Sequence, residues 1–236
     1  MHTFKSLDEF KAKLKKIAEK EFVQSMRKGD TGIGYTLESL LEIKENNVPL
    51  ADLGEIELKA YRKDSCSMLT LFTCEPKPAG GERDKMLLNG FGYSSDKKGR
   101  AKELYCTINA SRFNNQNLKL CVEKNLIRVT SDKKNIDVYW DFESLGERFD
   151  KKIQKLIVVE AEAMFEDDSE RFHFSDAYLL EGLNFASFCK LVSTDAITVD
   201  FRMHLRSKGT VRNHGTAFRV HKRRLIDCYQ TKVKLV

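Results

Sequence analysis

Residues 52–59 read Asp52-Leu53-Gly54-Glu55-Ile56-Glu57-Leu58-Lys59, and their alternation decides how the chain is organised. Over Ala51 to Tyr61, Ile56, Leu58 and Ala60 point one way and Glu55, Glu57 and Lys59 the other, as the two-residue period of a strand requires. The apolar side chains anchor the strand to a core and leave a charged face open to chemistry. Glu57 and Lys59 share that face, and the Leu53-Gly54 pair can turn the chain so that the Asp52 carboxylate comes back toward Glu57. Two oxygen ligands converging there suit Mg²⁺, a hard cation that takes carboxylates and water and rarely requires an all-protein cage. A cation so held lowers the pKa of a bound water and stabilises charge in an in-line displacement at a phosphodiester. The Lys59 ammonium would place the water or counter the developing charge. The same alternation also describes a solvated strand face held by cross-strand charge pairs, and Glu55 is a rival acid on it.

Working outward, Phe4, Leu7, Phe10, Leu14 and Ile17 form a helical stripe within Leu7 to Met26, with Ser6 as its cap. A glycine-rich turn, Gly29 to Gly34, leads into a second helix with Ile33, Leu37, Leu40 and Leu41 on one stripe and Glu38 at its edge. Beyond the central strand, Met68 to Cys74 reads as a strand and Pro76 to Gly99 as loop. Glu103 to Ile108, Leu118 to Val122 and Leu126 to Ser131 read as antiparallel strands, and Tyr139 to Phe142 is ambiguous. A helix over Phe142 to Lys155, the apolar strand Leu156 to Val159, Phe172 to Phe174, and a helix over Leu183 to Val192 follow. Two last strands, Ile197 to Leu205 and Thr216 to Val220, bracket the basic loop Arg206 to Gly215. Helices mixed with strands make this an α/β (α+β) protein.

The composition excludes several classes. No uninterrupted apolar run exceeds the four residues Leu156 to Val159, far below the ~20 a membrane helix requires. Six cysteines, at 66, 74, 106, 121, 189 and 228, form no CxxC pair and sit near no histidine at zinc spacing. They are expected as reduced, mostly buried thiols in a cytoplasm. The formal charge of +6 is unevenly placed: residues 201–236 hold ten Lys or Arg against Asp227 alone, a local +9. That concentration points to a polyanion as partner, and also to a basic face that merely aids solubility.

The run Thr31-Gly-Ile-Gly-Tyr-Thr-Leu-Glu38-Ser-Leu-Leu, then Glu45-Asn-Asn-Val-Pro-Leu-Ala-Asp52-Leu-Gly-Glu-Ile-Glu57-Leu-Lys59, then Leu69-Thr-Leu-Phe-Thr73, resembles the MvaI/BcnI type of restriction endonuclease, grouped with MutH in the PD-(D/E)xK nuclease superfamily. The similarity continues in Asn89 to Tyr93, Ser111 to Asn115, Asp150 to Val158 and His214 to Val220, so it spans nearly the whole chain in order. It implies a mixed β-sheet core flanked by helices in a two-lobed, MutH-like architecture, with a catalytic lobe over 1–145 and a DNA-recognition lobe over 146–236. It also implies that Asp52 and Glu57 ligate Mg²⁺, that Lys59 is the catalytic lysine and that Glu38 is a further acid of the site. Ala51 stands where the superfamily's name has proline. Glu38 is equally placed to pair with Lys44 or Arg27 on the helix surface. The expected activity is that of a monomeric type II restriction endonuclease in a prokaryotic cytoplasm, cutting double-stranded DNA at a short GC-rich site of the CC-N-GG kind, leaning to a central A or T. A DNA methyltransferase would be its cellular companion. A MutH-like nicking enzyme of mismatch repair and a DNA-binding module without catalysis are the alternatives, the latter disfavoured by the intact Asp52, Glu57 and Lys59.

The same resemblance gives the C-terminal part the task of reading DNA. Along Ile197 to Leu205 the apolar residues alternate with Thr198, Asp200, Arg202 and His204, and Arg219 and His221 alternate with Phe218 and Val220. Arginine can fork onto guanine O6 and N7, and histidine can donate or accept, so the face carrying Arg202, His204, Arg219 and His221 could read base edges, and His214 is a further candidate DNA contact. Lys208, Arg212, Lys222, Arg223 and Arg224 are suited to phosphates. Thr73, in a stretch closer to the MvaI version, and Arg112 with Asn114 in an Asn-rich loop complete the candidate DNA contacts; that loop is equally a simple turn. Tyr61, Arg62 and Lys63 could hold the backbone near the scissile phosphate. If the +9 segment supplies the phosphate contacts, log K for DNA falls linearly with log salt, at a slope of about −0.9 per contacted phosphate. Fluorescence anisotropy with a labelled duplex from low to moderate salt measures it, and a salt-insensitive affinity would count against this role.

Overall fold

In the computed structural model, residues 4–43, 47–50 and 54–236 are described. In chain order these are α1 (Leu7–Ala18), β1 (Val23–Gln24), α2 (Gly32–Leu41), β2 (Asn47–Leu50), β3 (Gly54–Arg62), β4 (Met68–Thr73), α3 (Gly81–Phe91), β5 (Tyr93–Ser94), β6 (Arg100–Ile108), β7 (Leu118–Val122), β8 (Leu126–Ser131) and β9 (Val138–Asp141). Then come α4 (Phe142–Lys152), β10 (Lys155–Glu166), β11 (Ser169–Glu181), α5 (Phe185–Ser193), β12 (Ile197–Arg206), β13 (Val211–Asn213), β14 (Ala217–His221), α6 (Lys222–Leu225), a 3₁₀ turn (Ile226–Cys228) and β15 (Thr231–Lys234). The class is mixed α+β, as the sequence predicts. None of the described helices is long and apolar enough to cross a membrane.

The chain divides into two compact units, and each is discontinuous: 1–67, 152–183 and 229–236 form one, 68–151 and 184–228 the other. A single boundary near residue 146 is therefore corrected. Strand pairing here is non-local, so each unit borrows segments far apart in sequence to complete its sheet.

The first unit is built on a sheet of order β1-β11-β10-β3-β2, with β15 added to β11. The strand β3 lies parallel to β10, with Leu156 opposite Glu57, Val158 opposite Lys59 and Glu160 opposite Tyr61. Ile56 and Leu58 face a buried cluster that includes Ile157, Val159 and Phe172 from the sheet and Phe10, Leu14, Ile17, Ile33, Leu37 and Leu41 from α1 and α2. The expected stripes of both helices thus bury as predicted, and the Ser6 hydroxyl accepts from the Glu9 N–H at 3.3 Å as the cap of α1. That helix ends at Ala18, short of Met26, because Glu21 takes a left-handed φ of 55° and Val23 leaves to pair with Phe172.

The second unit contains a sheet of order β4-β14-β12-β6-β5, with β13 beside β12, and a separate meander β7-β8-β9. Its aromatic core is a set of mutual ring contacts: Phe188 meets Phe72, Phe149, Phe185 and Phe218 at 5.4 to 5.9 Å, and Trp140 lies edge-on to Phe218 at 5.3 Å. The Pro76 to Gly99 stretch is corrected from loop to a segment containing α3. Gly80 and Gly81 sit at its start, where they cost little, while Leu87, Leu88 and Phe91 bury one face. The ambiguous 139–142 segment contributes β9, and the basic loop 206–215 contains β13. All six cysteines are free, but Cys189 alone is buried and Cys66 and Cys121 are exposed, which corrects the expectation of mostly buried thiols.

Phe188 is fully buried among four rings. Phe188→Ala should cost about 3–5 kcal/mol through lost transfer energy and the cavity left behind, read as a lower denaturant midpoint. A loss below about 1 kcal/mol would show that the ring cluster is not the organising core of this unit.

Candidate functional site

The charged face of β3 is where the sequence places it. Glu57 is buried, 6% exposed, and its two carboxylate oxygens are held separately. The Lys59 ammonium donates to Oε1 at 2.8 Å, and the Lys152 ammonium donates to Oε2 at 3.1 Å. Residues two apart on a strand share a face, so the first bond is built into the local backbone. The second depends on the β3–β10 register: Leu156 sits opposite Glu57, and Lys152 is four residues upstream at the end of α4. Periodicity carried no sign of Lys152. It lies inside the Asp150 to Val158 run, and what gives it meaning is the parallel pairing.

Glu38, half-buried on α2, is brought to the same neighbourhood. Its carboxyl is held above the ordinary glutamate range, chiefly because burial penalises the charge; Arg27 opposes this, Glu57 adds to it, and Lys59 opposes it. Arg27 acts on Glu38 only through its charge, its guanidinium lying over the Tyr35 ring at 3.8 Å, while Glu57 and Lys59 act on it from β3. Gly54, at φ 77°, takes the left-handed conformation that a side chain disfavours, which is consistent with a turn entering β3. Asp52 and Lys44 lie outside the described residues, and the Glu55 side chain lies outside them as well.

The donor chemistry fits a divalent cation. Glu38 and Glu57 offer hard anionic oxygens close enough that the Glu57 charge adds to the burial that raises the Glu38 pKa, a repulsion that a cation between carboxylates relieves. Among the described residues no group of three acidic, His or Cys side chains could hold a metal, so a further ligand is needed. The neighbouring residues have other commitments. Tyr61 is buried and donates to Glu160 Oε1 at 2.5 Å; Arg62 forks onto Glu170 at 2.5 and 2.7 Å; Lys63 lies 3.7 Å from Asp176. The phosphate-holding role considered for these three is not supported by a free side chain at Tyr61 or Arg62.

The second unit gathers most of the other candidates on the polar face of its main sheet. Arg202 lies opposite Tyr105 and His204 opposite Glu103 on β6, and His204 lies opposite Arg212 on β13. His204 is buried, its ring centroid 5.4 Å from that of exposed His214 with the planes tilted by 33°, and its Nδ1 is 3.4 Å from the Tyr105 hydroxyl. Both imidazoles titrate below the usual histidine range. Desolvation is the main cause in each, reinforced for His204 by Arg100, His214 and Arg206, and for His214 by Arg212, Arg100, Arg202 and Arg206. Lys208 and Arg212 are exposed, and the Arg202 Nε is buried without a hydrogen-bond partner.

Two candidates, Arg219 and Asn114, are engaged by hydrogen bonds within the fold. Arg219 donates to Asp200 Oδ2 at 2.5 Å and to the Met68 carbonyl at 2.6 Å, so its fork is occupied. Asp200 also accepts from the Thr107 hydroxyl at 2.8 Å and ties the strands together. The Asn114 side chain donates to the Thr107 carbonyl at 2.9 Å and accepts from the Gln116 and Leu118 N–H groups at 2.9 and 3.0 Å, so it shapes its own loop. Exposed Arg112 and Phe113 project from that loop. Thr73 ends β4, its methyl 3.4 Å from where a Cβ at Gly215 would stand, and the Gly215 φ of 91° is one that a side chain disfavours.

A network that sequence reasoning missed fixes the turn carrying His214. Buried Arg83 donates to Pro76, Asp84 and Glu75. Glu75 Oε1 accepts the Thr216 N–H at 2.7 Å, and Asn213 donates to Glu75 and Asp84 at 3.0 and 3.1 Å. These groups come from three elements, and no local spacing announces them.

A model of the MvaI/BcnI restriction endonuclease family matches residues 11–229 of this sequence. A search of curated proteins returns no match. Among solved structures, the restriction endonuclease MvaI–cognate DNA substrate complex is similar at 30% identity and a TM-score of 0.82, covering 98% of each chain. The restriction endonuclease MvaI in the absence of DNA is similar at 26% identity and a TM-score of 0.59, covering the whole of each chain.

Because the Glu38 pKa is raised in the folded protein, its charge costs stability above that pKa, and the cost vanishes in acid where the carboxyl is protonated both folded and unfolded. Glu38→Gln should therefore raise the Tm at pH 7–8, with the gain shrinking toward zero below about pH 4, the ordinary glutamate range. Thermal unfolding followed by circular dichroism across that range checks it. A variant less stable than the parent at pH 8 would refute it.

Proposed function

The chain belongs to the MvaI/BcnI restriction endonuclease family, with a PD-(D/E)xK-like fold and the activity of a site-specific deoxyribonuclease that uses a divalent metal, and from that premise we propose how it works and on what. The substrate is double-stranded DNA, cut at a short GC-rich site of the CC-N-GG kind with a lean to CCWGG, and the metal is Mg²⁺. The observation that carries the reading is the buried Glu57 carboxylate, bonded by Lys59 on the same strand face and neighboured by Glu38. Similarity to an MvaI structure solved with its cognate DNA substrate supports the choice of partner.

Glu57 and Asp52 are proposed to hold the metal, with Glu38 as the adjoining acid. When bound, the metal acidifies a water and stabilises charge on the phosphodiester. Lys59, fixed 2.8 Å from Glu57 Oε1, keeps its ammonium beside the carboxylate and so beside the attacking water, where it orients that water and offsets the negative charge that develops. The β3 unit is the hydrolytic one. In the other unit Arg202 and the His204–His214 pair read base edges, both imidazoles being neutral near pH 7 and so able to accept as well as donate. Lys208, Arg212 and Arg112 contact phosphates, while Asp200 holds Arg219 as the strut behind that face. The enzyme acts as a monomer, in a prokaryotic cytoplasm, beside a methyltransferase that protects the same sites.

Plasmid of known sequence incubated with the purified chain should give discrete linear fragments with Mg²⁺ and none without, and sequencing their ends gives the site. Glu57→Ala and Lys59→Ala should each slow cleavage roughly a thousandfold or more, since each removes several kcal/mol of charge stabilisation. Accumulation of nicked circles alone would favour a strand nicker, and full cleavage by Glu57→Ala would overturn the assignment of the site.

A further inference from the structure

We propose that Lys152 is a positioning residue of the hydrolytic centre: its ammonium holds Glu57 Oε2 when no metal is bound and, by competing for that oxygen, sets how tightly the centre takes a divalent cation. The inference rests on the reading of Glu57 as a metal ligand. A carboxylate as buried as Glu57 is costly without partners, and among the described residues it bonds Lys59 and Lys152. Lys59 is fixed to Oε1 by strand geometry, whereas Lys152 reaches Oε2 at 3.1 Å from a segment 95 residues away.

That segment is pinned. Ile153 is fully buried, its carbonyl accepts from the buried Tyr229 hydroxyl at 2.9 Å, and β10 enters register with β3 at Leu156, three residues later. The Lys152 backbone is thus held at a set distance from Glu57, and its side chain, 28% exposed, keeps a route to solvent that the 12% exposed Lys59 largely lacks. The Lys59 and Lys152 ammonium groups both lie within 3.1 Å of the Glu57 carboxylate. A divalent cation added there would face both at short range, and Coulomb repulsion favours withdrawal of whichever ammonium can leave. Lys152, on a flexible four-carbon stem with access to water, is that group. The exchange leaves the carboxylate compensated in both states, with the ammonium before metal binding and with the cation after it.

The test is Mn²⁺ binding by the full chain without DNA, read from the electron paramagnetic resonance signal of free Mn²⁺, for the parent, Lys152→Gln, Lys152→Arg and Glu57→Gln. Losing one charge-assisted competitor should tighten Mn²⁺ binding by Lys152→Gln about three- to tenfold, while Lys152→Arg stays near the parent and Glu57→Gln loses binding. Thermal unfolding supplies a second measure: Lys152→Gln should unfold earlier than the parent without Mn²⁺, and the gap should close at saturating Mn²⁺. Should Lys152→Gln fail to fold, Lys152→Met carries the same comparison. Mn²⁺ affinity in the neutral variants equal to or weaker than the parent's overturns the proposal and leaves the Glu57 site standing. Undiminished binding by Glu57→Gln would remove the metal site itself, and the proposal with it.

Discussion

The parallel pairing of β3 with β10 is the constraint on which the rest depends. It buries Ile56 and Leu58 against Ile157, Val159 and the two N-terminal helices, and so turns Glu57 and Lys59 to the opposite face. A one-residue slip would exchange those faces and carry the acids into the apolar cluster. The register is therefore held by hydrophobic burial on one side and by ion pairs on the other. The same pairing brings Lys152 to Glu57, so the carboxylate's second partner is a consequence of sheet topology rather than of local spacing.

Division of the molecule into two interleaved units follows from the same non-local pairing. Each unit closes its sheet with strands distant in sequence, and each has its own apolar core: aliphatic side chains and phenylalanines beneath α1 and α2 in one, a ring cluster around Phe188 in the other. The charges are divided too. Glu38 and Glu57 stand on the first unit, while on the second Arg212, Arg100, Arg202 and Arg206 lie close enough to add to the desolvation that lowers the His214 pKa. Carboxylates that repel a polyanion and arginines that attract it thus occupy separate scaffolds, which lets each be desolvated for its own chemistry.

Polar groups in the second unit show how much of a charged sheet face is support. Asp200 engages Arg219 and Thr107, and Glu75 and Arg83 tie down Asn213 and Thr216 on either side of His214. A side chain that must meet a ligand at hydrogen-bond distance needs its backbone fixed to within a fraction of that distance, and buried charge-assisted bonds do this better than apolar contacts, which have no preferred direction.

Sequence by itself determined the strand face of Glu57 and Lys59, the apolar stripes of α1 and α2, the Ser6 cap and the mixed α+β class, because each is a matter of period 2 or 3.6 along a continuous segment. It also carried the family, through motifs spread in order over the chain. It misjudged Pro76 to Gly99, where glycines at the ends of α3 concealed a helix, and it placed one boundary where the chain crosses between units four times. Only the tertiary structure decided that Lys152 bonds Glu57, that Arg219 and Asn114 are occupied within the fold, and that Arg83 supports the His214 turn. Those outcomes depend on which distant strands pair and in which register, and that is settled by the burial of whole faces, a quantity no local period contains.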